Sequence, residues 1–325
     1  MTKLTRREML AASAAMATGA FAFRQSAFAK ASQPSTPVNF AVPAGACDTH
    51  THIFGDPKQF PMWSGRVYTP EPALPDEMHA LHQALHMQRV VIVTPSIYGA
   101  DNSATLYGMK AYGQGARGVA VIDDKTSESD LDAMGRAGIK GIRINLATVN
   151  QTDASVGRKR FQAAVDRVKA RGWHIQMYVA ATIIPGIKDL VAASPVPVVF
   201  DHFGGAETAK GMQPPGWPEL LDLVKSGKAW VKISGAYRAS MNGPDYADLV
   251  PYAKALIAAN ADRIVWGSDW PHPNSSPPAG RKATEWNPVF QIDDGRLLNL
   301  LPVWAPDAAV RKKILVDNPA RLYGF

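Results

Sequence analysis

Two histidines, His50 and His52, lie two residues apart where a short apolar run that begins at Val42 ends. In a β-strand, residues i and i+2 point to the same face, so both imidazoles would converge on one small volume. Imidazole can transfer a proton or bind a metal ion at neutral pH. A single His-x-His pair is also a common structural feature, so its chemistry depends on what else converges there.

Two further strand-like runs end in residues of the same chemical kind. Asp201 and His202 follow the apolar run 197–200, and Asp269 closely follows the run 263–266. A parallel barrel collects the carboxyl ends of its strands at one face, where groups from several strands meet. The three runs therefore predict one site built from strand ends.

Eight runs rich in β-branched residues would position these groups. The first ends near Cys47, and the others cover 90–93, 119–122, 141–146, 175–179, 198–200, 230–233 and 264–266. Helix-like stretches with regular apolar spacing lie between them, for example 158–171 and 246–260. This alternation, without a break in composition, predicts a single α/β domain folded as a (β/α)8 TIM barrel. An open doubly wound sheet is the alternative, although the chain has no Gly-x-Gly-x-x-Gly fingerprint to support it.

Two connections are longer than the rest and rich in Pro, Gly and aromatic residues, at 54–75 and 272–288. Both follow strands that carry candidate site residues. Long loops at the carboxyl ends of barrel strands are predicted to form the mouth of the pocket and to cover it.

The first residues of the chain look like a targeting segment. Arg6 and Arg7 precede an Ala-rich apolar stretch at 9–23, and Ala27 to Ala29 offers a small-x-small cleavage site. This pattern resembles a bacterial twin-arginine export signal and predicts a periplasmic protein; a disordered basic tail is the alternative. The predicted divisions are a signal peptide at 1–29, an N-terminal lead-in at 30–44 and the barrel domain at 45–325.

Charge and composition limit the classes of partner. Removal of the signal would lower the net charge from +7 to +4, and the remaining basic residues are scattered. That pattern does not indicate nucleic-acid binding and fits the attraction of small anions. No apolar stretch of about 18 residues follows the signal, so no membrane insertion is predicted after its removal. Cys47, the only cysteine, cannot form an internal disulfide and is interpreted as a packing residue. No stretch predicts an oligomeric interface.

Four motifs together resemble the amidohydrolase superfamily, over essentially all of the chain after the signal. They are the segment 48–55, the pair Asp201-His202, the segment 265–273 and the tail 317–323. More narrowly, they resemble its lactonase branch, which includes 2-pyrone-4,6-dicarboxylate lactonase, 4-sulfomuconolactone hydrolase and D-galactarolactone isomerase. The resemblance implies a TIM barrel that acts on a small lactone.

Lactone hydrolysis needs a base for water and a polar pocket for the carbonyl oxygen, which gains negative charge in the transition state. The resemblance implies that Asp269 is the base. It also makes His50, His52 and His202 candidates for polarising the carbonyl. Each of these four residues could instead be a buried structural group.

Metal dependence follows less directly from the resemblance. Metal-dependent members typically add a His at the end of the fifth strand, or a Lys or Glu at the end of the fourth. Here Tyr178 lies near the end of the fifth, and the fourth ends at Asn145 and Leu146. The sequence therefore favours chemistry that requires no cofactor. The alternative is one Zn²⁺, bound by His50, His52, His202 and Asp269.

Two arginines are candidates for binding an anionic substrate. Arg143 and Arg238 match positions that resemble carboxylate-binding arginines of the pyrone lactonase, and a guanidinium suits a carboxylate or sulfonate. Either could instead form a structural salt bridge. The pyrone lactonase has a further arginine shortly after the first of these, whereas residues 147–150 carry no charge here. A different anionic lactone is therefore expected.

Four more residues are predicted to contact the substrate. Tyr68 and Tyr178 match tyrosines of the pyrone lactonase, although either could be pocket wall. His272 and Asn274 lie on the loop after Asp269 and could instead brace the rim of the pocket.

These observations predict a periplasmic hydrolase that opens a carboxylated or sulfonated lactone with base-activated water, in aromatic or sugar-acid catabolism. Three alternatives remain open. They are a lactone isomerase, a Zn-dependent amidohydrolase or decarboxylase, and a non-catalytic periplasmic binding protein. The galactarolactone isomerase departs from this pattern at the first His of the opening pair, which is intact here as His50.

Overall fold

The computed structural model describes residues 31–211, 213–276 and 280–325. The predicted signal peptide at 1–29 lies outside these residues. In the described ranges, eight strands form one sheet in which every paired neighbour is parallel. The strands are β1 (Cys47–Thr51), β2 (Arg89–Val93), β3 (Ala116–Ala120), β4 (Ile139–Asn145), β5 (His174–Tyr178), β6 (Val198–Phe200), β7 (Ala229–Ser234) and β8 (Ile264–Gly267).

The first strand and the end of the last lie side by side, so the sheet curls into a barrel. The backbone N–H of Asp269 donates to the carbonyl of His50 at 2.9 Å, and that of His52 donates to Trp270 at 2.8 Å. The hydroxyl of Thr49 adds a hydrogen bond of 2.7 Å to the carbonyl of Trp266. The predicted single (β/α)8 TIM barrel is confirmed.

Helices follow the strands around the outside of the barrel. In the described residues, the α-helices are α1 (Pro75–Ala84), α2 (Ser103–Tyr112), α3 (Glu128–Arg136), α4 (Ala154–Val168), α5 (Lys188–Ala192), α6 (Trp217–Lys225), α7 (Ala236–Ala239), α8 (Val250–Asn260), α9 (Asp294–Leu298), α10 (Leu301–Trp304), α11 (Ala308–Lys312) and α12 (Asn318–Tyr323). A π-helical turn, Lys313–Asp317, leads into α12.

The apolar spacing and the N-terminal cap of helix α4 explain why this segment is helical and where it begins. Phe161, Ala164 and Val168 recur at helical spacing and are buried, as an amphipathic helix requires. The helix begins before the predicted residue 158 because the side chain of Asp153 accepts a hydrogen bond from the backbone N–H of Ser155 at 2.8 Å and caps the first turn.

The two long connections meet each other at the carboxyl ends of the strands. A two-residue ladder pairs Thr69–Pro70 of the first with Trp286–Asn287 of the second in parallel. The hydroxyl of Thr69 also donates to the carbonyl of Ala283 at 2.6 Å. The ladder therefore joins the connection that carries Tyr68 to the one that follows Asp269.

Cys47 lies fully buried in a small cluster with Val91, Val93, Val119 and Tyr323. Burial raises the pKa of its thiol well above the ordinary value, so the thiolate that a nucleophile needs is disfavoured. Among the described ranges, no helix is both long and apolar enough to cross a membrane.

Candidate active site

The four predicted catalytic residues converge at the carboxyl ends of the strands. His50 lies near the end of β1 and His52 directly follows that strand, His202 follows β6 and Asp269 follows β8, and each is at most 3% exposed. The Nε2 atoms of His50, His52 and His202 lie 3.7, 3.6 and 3.9 Å from Oδ1 of Asp269. The predicted convergence of three strand ends on one site is therefore present in the structure.

The rings of His52 and His202 are oriented by neighbours behind them. Nδ1 of His52 lies 2.7 Å from the carbonyl oxygen of Val93, which can only accept, so Nδ1 carries the hydrogen and Nε2 presents a lone pair. Nδ1 of His202 lies 2.9 Å from the hydroxyl of Ser234, which can donate to it and leave Nε2–H facing the pocket. Burial lowers the pKa of both rings, to about 4 for His202, and favours their neutral forms.

His50 rests on a buried ionic network beneath the pocket. Its Nδ1 lies 3.2 Å from Oδ1 of Asp201, and Oδ2 of Asp201 accepts from Arg143 at 3.2 Å and Gln176 at 3.0 Å. Lys232 donates to the side-chain oxygen of Gln176 at 2.7 Å. Burial alone would raise the pKa of Asp201, but the charges of His50, Lys232 and Arg143 hold it well below the ordinary value. The carboxylate therefore keeps its charge and orients the ring of His50.

The two oxygens of Asp269 have different surroundings. Oδ2 accepts a hydrogen bond from Nε of Arg238 at 2.5 Å and one from the hydroxyl of Tyr237 at 2.6 Å. Oδ1 faces the histidines and has no hydrogen-bond partner among the described residues. Although burial raises the pKa of this carboxyl, the nearby Arg238 and histidines hold it well below the ordinary value. Asp269 is thus a carboxylate with one oxygen held and the other directed at the pocket.

Four of the predicted substrate-binding residues line the same pocket as Asp269: Tyr68, Arg143, Tyr178 and Arg238. The guanidinium carbon of Arg143 lies 5.1 Å from the ring centre of Tyr178, and the ring of Tyr178 packs edge-on against His202. Burial raises the pKa of Tyr68 to about 12, so its hydroxyl keeps its hydrogen at neutral pH. We call this space the inner pocket; its volume is about 10 Å³.

The other two predicted substrate contacts, His272 and Asn274, are not among the residues that line the inner pocket. His272 is fully buried, and its Nε2 lies 2.9 Å from a carboxylate oxygen of Asp294. The backbone carbonyl of Asn274 accepts from the side-chain amide of Asn287 at 2.5 Å. Pro273 and Ser275, which alternate with them, line the pocket instead. This placement corresponds to the bracing role that was the alternative for this loop.

Several groups that hold the site in place were not predicted. Tyr237 binds the proposed base, Ser234 orients His202, and Lys232 and Gln176 support Asp201. One signal was present for Lys232 and Ser234: they are polar residues two positions apart in the otherwise apolar strand β7. Residues at this spacing share a face, here the face that points into the barrel.

Backbone conformations at the site are unusual for residues with side chains. His202, Asp269 and His272 have φ values of 48°, 68° and 61°, a region that such residues rarely adopt and that stores strain when they do. Gly235 lies between two of them at φ 59°, where a Cβ atom would lie 3.0 Å from Nδ1 of His202 and 3.2 Å from Oδ2 of Asp269. Glycine at this position therefore lets the histidine and the base approach each other.

The donor atoms of the site fit a metal ion. One atom each from His50, His202 and Asp269 lies within 4.8 Å of the others. Nε2 of His50 and Oδ1 of Asp269 are buried without a hydrogen-bond partner in the described part of the chain. Nitrogen and oxygen donors in this number suit Zn²⁺, and His52 offers a fourth. When bound, the ion would supply Lewis-acid activation of a carbonyl or of water.

The amidohydrolase family matches the chain over residues 47–325, which include every strand of the barrel. This chain belongs to the amidohydrolase family. The resemblance seen in the sequence motifs is therefore confirmed, and the site described above lies where amidohydrolases with a TIM barrel carry their active sites, at the carboxyl ends of the strands.

Three curated amidohydrolase relatives each match 89% of this chain. A 4-sulfomuconolactone hydrolase of Rhizobium radiobacter is 36% identical over 93% of its own length. A 2-pyrone-4,6-dicarboxylate hydrolase of Comamonas testosteroni is 34% identical over 93% of its length. A D-galactarolactone isomerase of Agrobacterium fabrum is 32% identical over 94% of its length. A solved structure of an Agrobacterium tumefaciens protein superimposes with a TM-score of 0.74 at 30% identity, covering 89% of this chain and 98% of that one.

Proposed function

We propose that this amidohydrolase is a lactonase that opens a carboxylated or sulfonated lactone with water activated by Asp269. One observation carries the proposal. Oδ2 of Asp269 is held by Arg238 and Tyr237, whereas Oδ1 faces the inner pocket without a partner among the described residues. A buried carboxylate with one free oxygen is suited to accept a proton from water. Two of the relatives are named as hydrolases of a sulfonated and a carboxylated lactone.

The size of the inner pocket supports a reaction with water. Its volume of about 10 Å³ is close to the minimum of about 10–15 Å³ that a cavity needs to hold one water molecule. A water at this place would lie beside Oδ1 of Asp269 and the lone pair of His52. Asp269 would take its proton while His52 orients it, and the hydroxide formed would attack the lactone carbonyl.

The negative charge that develops on the carbonyl oxygen needs a hydrogen-bond donor to stabilise it. We assign this role to Nε2–H of His202, because the hydroxyl of Ser234 can hold the ring in the tautomer that donates. His52 presents a lone pair instead, so it would position water. The proton on Asp269 then passes to the ring oxygen as the carbon–oxygen bond breaks, which leaves a carboxylic acid and a hydroxyl in the product. The carboxylic acid releases its proton to solvent and becomes a carboxylate.

Arg143 and Arg238 would bind the anionic group of the substrate. Each donates through Nε to an aspartate of the site, Asp201 or Asp269, and each also lines the inner pocket. Nη2 of Arg238 also donates to the carbonyl of Pro273 at 3.0 Å. Nη1 of Arg238 and the terminal nitrogens of Arg143 are the ones proposed to bind the carboxylate or sulfonate. A substrate anion bound in this way would be connected through Arg238 to the base itself.

We propose that this reaction requires no metal ion, with Zn²⁺ dependence as the alternative that the donor atoms of the site support.

We also propose export to the periplasm by the signal at 1–29 and a place in aromatic or sugar-acid catabolism. Fractionation of cells that carry the unaltered chain or a variant with Arg6→Lys and Arg7→Lys tests the export. Periplasmic protein only with both arginines is expected, and equal export of the variant would contradict a twin-arginine signal.

Proton release during ring opening tests the activity directly. The purified enzyme is given carboxylated, sulfonated and neutral lactones of matched ring size, before and after chelation and after return of Zn²⁺. We expect proton release with the anionic lactones, unchanged by chelation. Activity that is lost on chelation and restored by Zn²⁺ would establish the metal-dependent alternative, and absence of proton release from every lactone would contradict the proposed activity.

A lactone isomerase is the second candidate, because one relative of that name is 32% identical. An isomerase moves the acyl group between hydroxyls of one molecule, so it adds no water. Mass spectrometry of the product in ¹⁸O-labelled water separates the two reactions. Incorporation of one ¹⁸O atom is expected here, and a product of unchanged mass would favour the isomerase.

A further inference from the structure

A second cavity of about 190 Å³ adjoins the inner pocket, and we call it the outer cavity. Tyr178, His202 and Arg238 line both spaces, so the two share one wall. The rest of the lining comes from the segments after β4, β5 and β6, and includes Ala147, Asn150, Gln151, Thr152 and Glu207. The shared wall contains His202, which is proposed to polarise the carbonyl, and Arg238, which is proposed to bind the anion.

The inner pocket and the outer cavity differ in the size of molecule that each can hold. The inner pocket is close to the minimum volume that holds one water molecule, whereas the outer cavity, at about 190 Å³, is many times larger. A lactone ring with a carboxylate has many more atoms than one water. The ring and its substituents therefore cannot occupy the inner pocket as it stands, and the outer cavity is the adjoining space that is large enough.

The side chains of the outer cavity are polar but provide no unpaired cation. Among the described residues that line it, Arg238 is the one with a positive charge, and Asp269 already pairs with that charge at 2.5 Å. Glu207 is paired with Lys210 at 2.7 Å. Asn150, Gln151 and Thr152 offer neutral hydrogen-bonding groups. Such a lining suits hydroxyl or carbonyl substituents and leaves a second anion without a charged partner.

We propose that the outer cavity is the subsite for the body of the lactone, and that it selects substrates with one anionic group and an uncharged, hydrogen-bonding second substituent. The ring lies against the shared wall, and its carbonyl points into the inner pocket towards His202 and the water beside Asp269. The anionic group binds at Arg238, which lines both spaces. This inference rests on the proposed lactonase activity and adds the substrate class and the residues that determine it.

Filling the cavity tests where the ring binds. Ala147→Phe would project a ring into the outer cavity, whereas Val149→Phe places the same side chain two residues along, at a position that is 56% exposed and outside the lining. We expect Ala147→Phe to raise KM at least about tenfold with little change in kcat, because it blocks binding and leaves the catalytic groups in place. Val149→Phe should leave KM unchanged. Equal KM values for both variants and the unaltered enzyme would overturn the proposal.

Adding a cation tests the selection by charge, and it does not depend on how well the phenylalanine variant folds. Thr152→Arg places a guanidinium at the outer cavity, and Val149→Arg adds the same charge outside it. The ratio of kcat/KM for a dicarboxylated lactone to that for a hydroxylated monocarboxylated one is measured for each. We expect the unaltered enzyme to prefer the monoanion, and Thr152→Arg to raise the ratio about fivefold.

The outcomes separate this inference from the activity on which it rests. Turnover of lactones by the unaltered enzyme with a preference for the dianion, or an equal ratio in Thr152→Arg and Val149→Arg, would overturn the proposed subsite and leave the lactonase activity standing. Absence of turnover on every lactone by the unaltered enzyme would overturn both.

Discussion

Nε of Arg238 donates to Oδ2 of Asp269 at 2.5 Å, so one side chain connects the proposed anion site to the proposed base. The hydroxyl of Tyr237 donates to the same oxygen at 2.6 Å. Both donors stabilise the charged carboxylate and leave Oδ1 for the reaction. The geometry makes substrate binding and the basicity of Asp269 depend on the same residue.

Replacement of Arg238 should therefore affect both functions. Arg238→Met removes a substrate contact and raises KM chiefly for anionic lactones. Because the guanidinium holds the pKa of Asp269 down, its loss should also raise that pKa and move the acid limb of the pH–rate profile to higher pH. The profile of kcat/KM for matched anionic and neutral lactones measures both effects.

Arg296→Met is the matched control, since Arg296 forms an exposed ion pair with Asp245. It should change neither the profile nor KM. An equal rise in KM for neutral and anionic lactones in Arg238→Met would mean that Arg238 has a structural role only.

Tyr237→Phe should slow turnover with little effect on binding. The variant loses one hydrogen bond to Oδ2 of Asp269 and keeps the ring that packs beside His272. The hydrogen bond fixes the orientation of the carboxylate, and the loss of this positioning should lower kcat by about tenfold. Steady-state kinetics at the pH optimum measures the change. A fall in kcat/KM that comes from KM alone would contradict the role of Tyr237 in holding the base.

Asp48 should be important for stability, because its buried carboxylate joins the first and last strands. The carboxylate accepts hydrogen bonds from the hydroxyl of Ser268 at 2.5 Å and from its backbone N–H at 3.0 Å. It also accepts one from the backbone N–H of His50 at 3.1 Å, and it lies 3.2 Å from Nε2 of His82. Asp48→Ala leaves these buried donors unpaired and should lower the free energy of unfolding by about 3–5 kcal/mol. Urea denaturation measures it, and Asp245→Ala, at an exposed ion pair, is the control. Similar stability of the two variants would contradict this role.

Buried neutral histidines predict a loss of stability in mild acid. Burial lowers the pKa of His174 to about 3, whereas in the unfolded chain it is about 6.5. Below pH 6.5 the unfolded state binds a proton that the folded state does not, so His174 lowers stability by about 1.4 kcal/mol per pH unit as the pH falls from about 6 towards 3. Urea denaturation between pH 7 and 4 should give a shallower pH dependence for His174→Asn than for the unaltered protein. Parallel curves would show that His174 does not contribute.

Much of the fold was predictable because apolar strands alternate with amphipathic helices along the whole domain. The boundaries of the elements were harder to predict. Strand β3 begins at Ala116, whereas the predicted run began at residue 119. The prediction missed this end because Arg117 and Gly118 interrupt the apolar pattern, although their backbones pair with β2. Strand pairing depends on backbone groups that every residue carries, so side-chain patterns miss such ends.

The histidines and the aspartate of the site could be predicted because each lies near or just after the end of a strand, and strand ends meet in a barrel. Their supporting contacts could not. Tyr237 and Asp269 are 32 residues apart, and Lys232 and Gln176 are 56 apart; which side chains meet depends on packing across the barrel. The same limit applies to His272, whose sequence position suggests the pocket while its ring binds Asp294.

Turnover of Asp269→Asn tests the central claim most directly. The amide keeps the size of the carboxylate but cannot take a proton from water, so kcat for the preferred lactone should fall by at least about 10². Circular dichroism checks that the fold is intact, and Asp245→Asn, an exposed carboxylate in an ion pair, should keep full activity. Near-native turnover by correctly folded Asp269→Asn would contradict the assignment of Asp269 as the base.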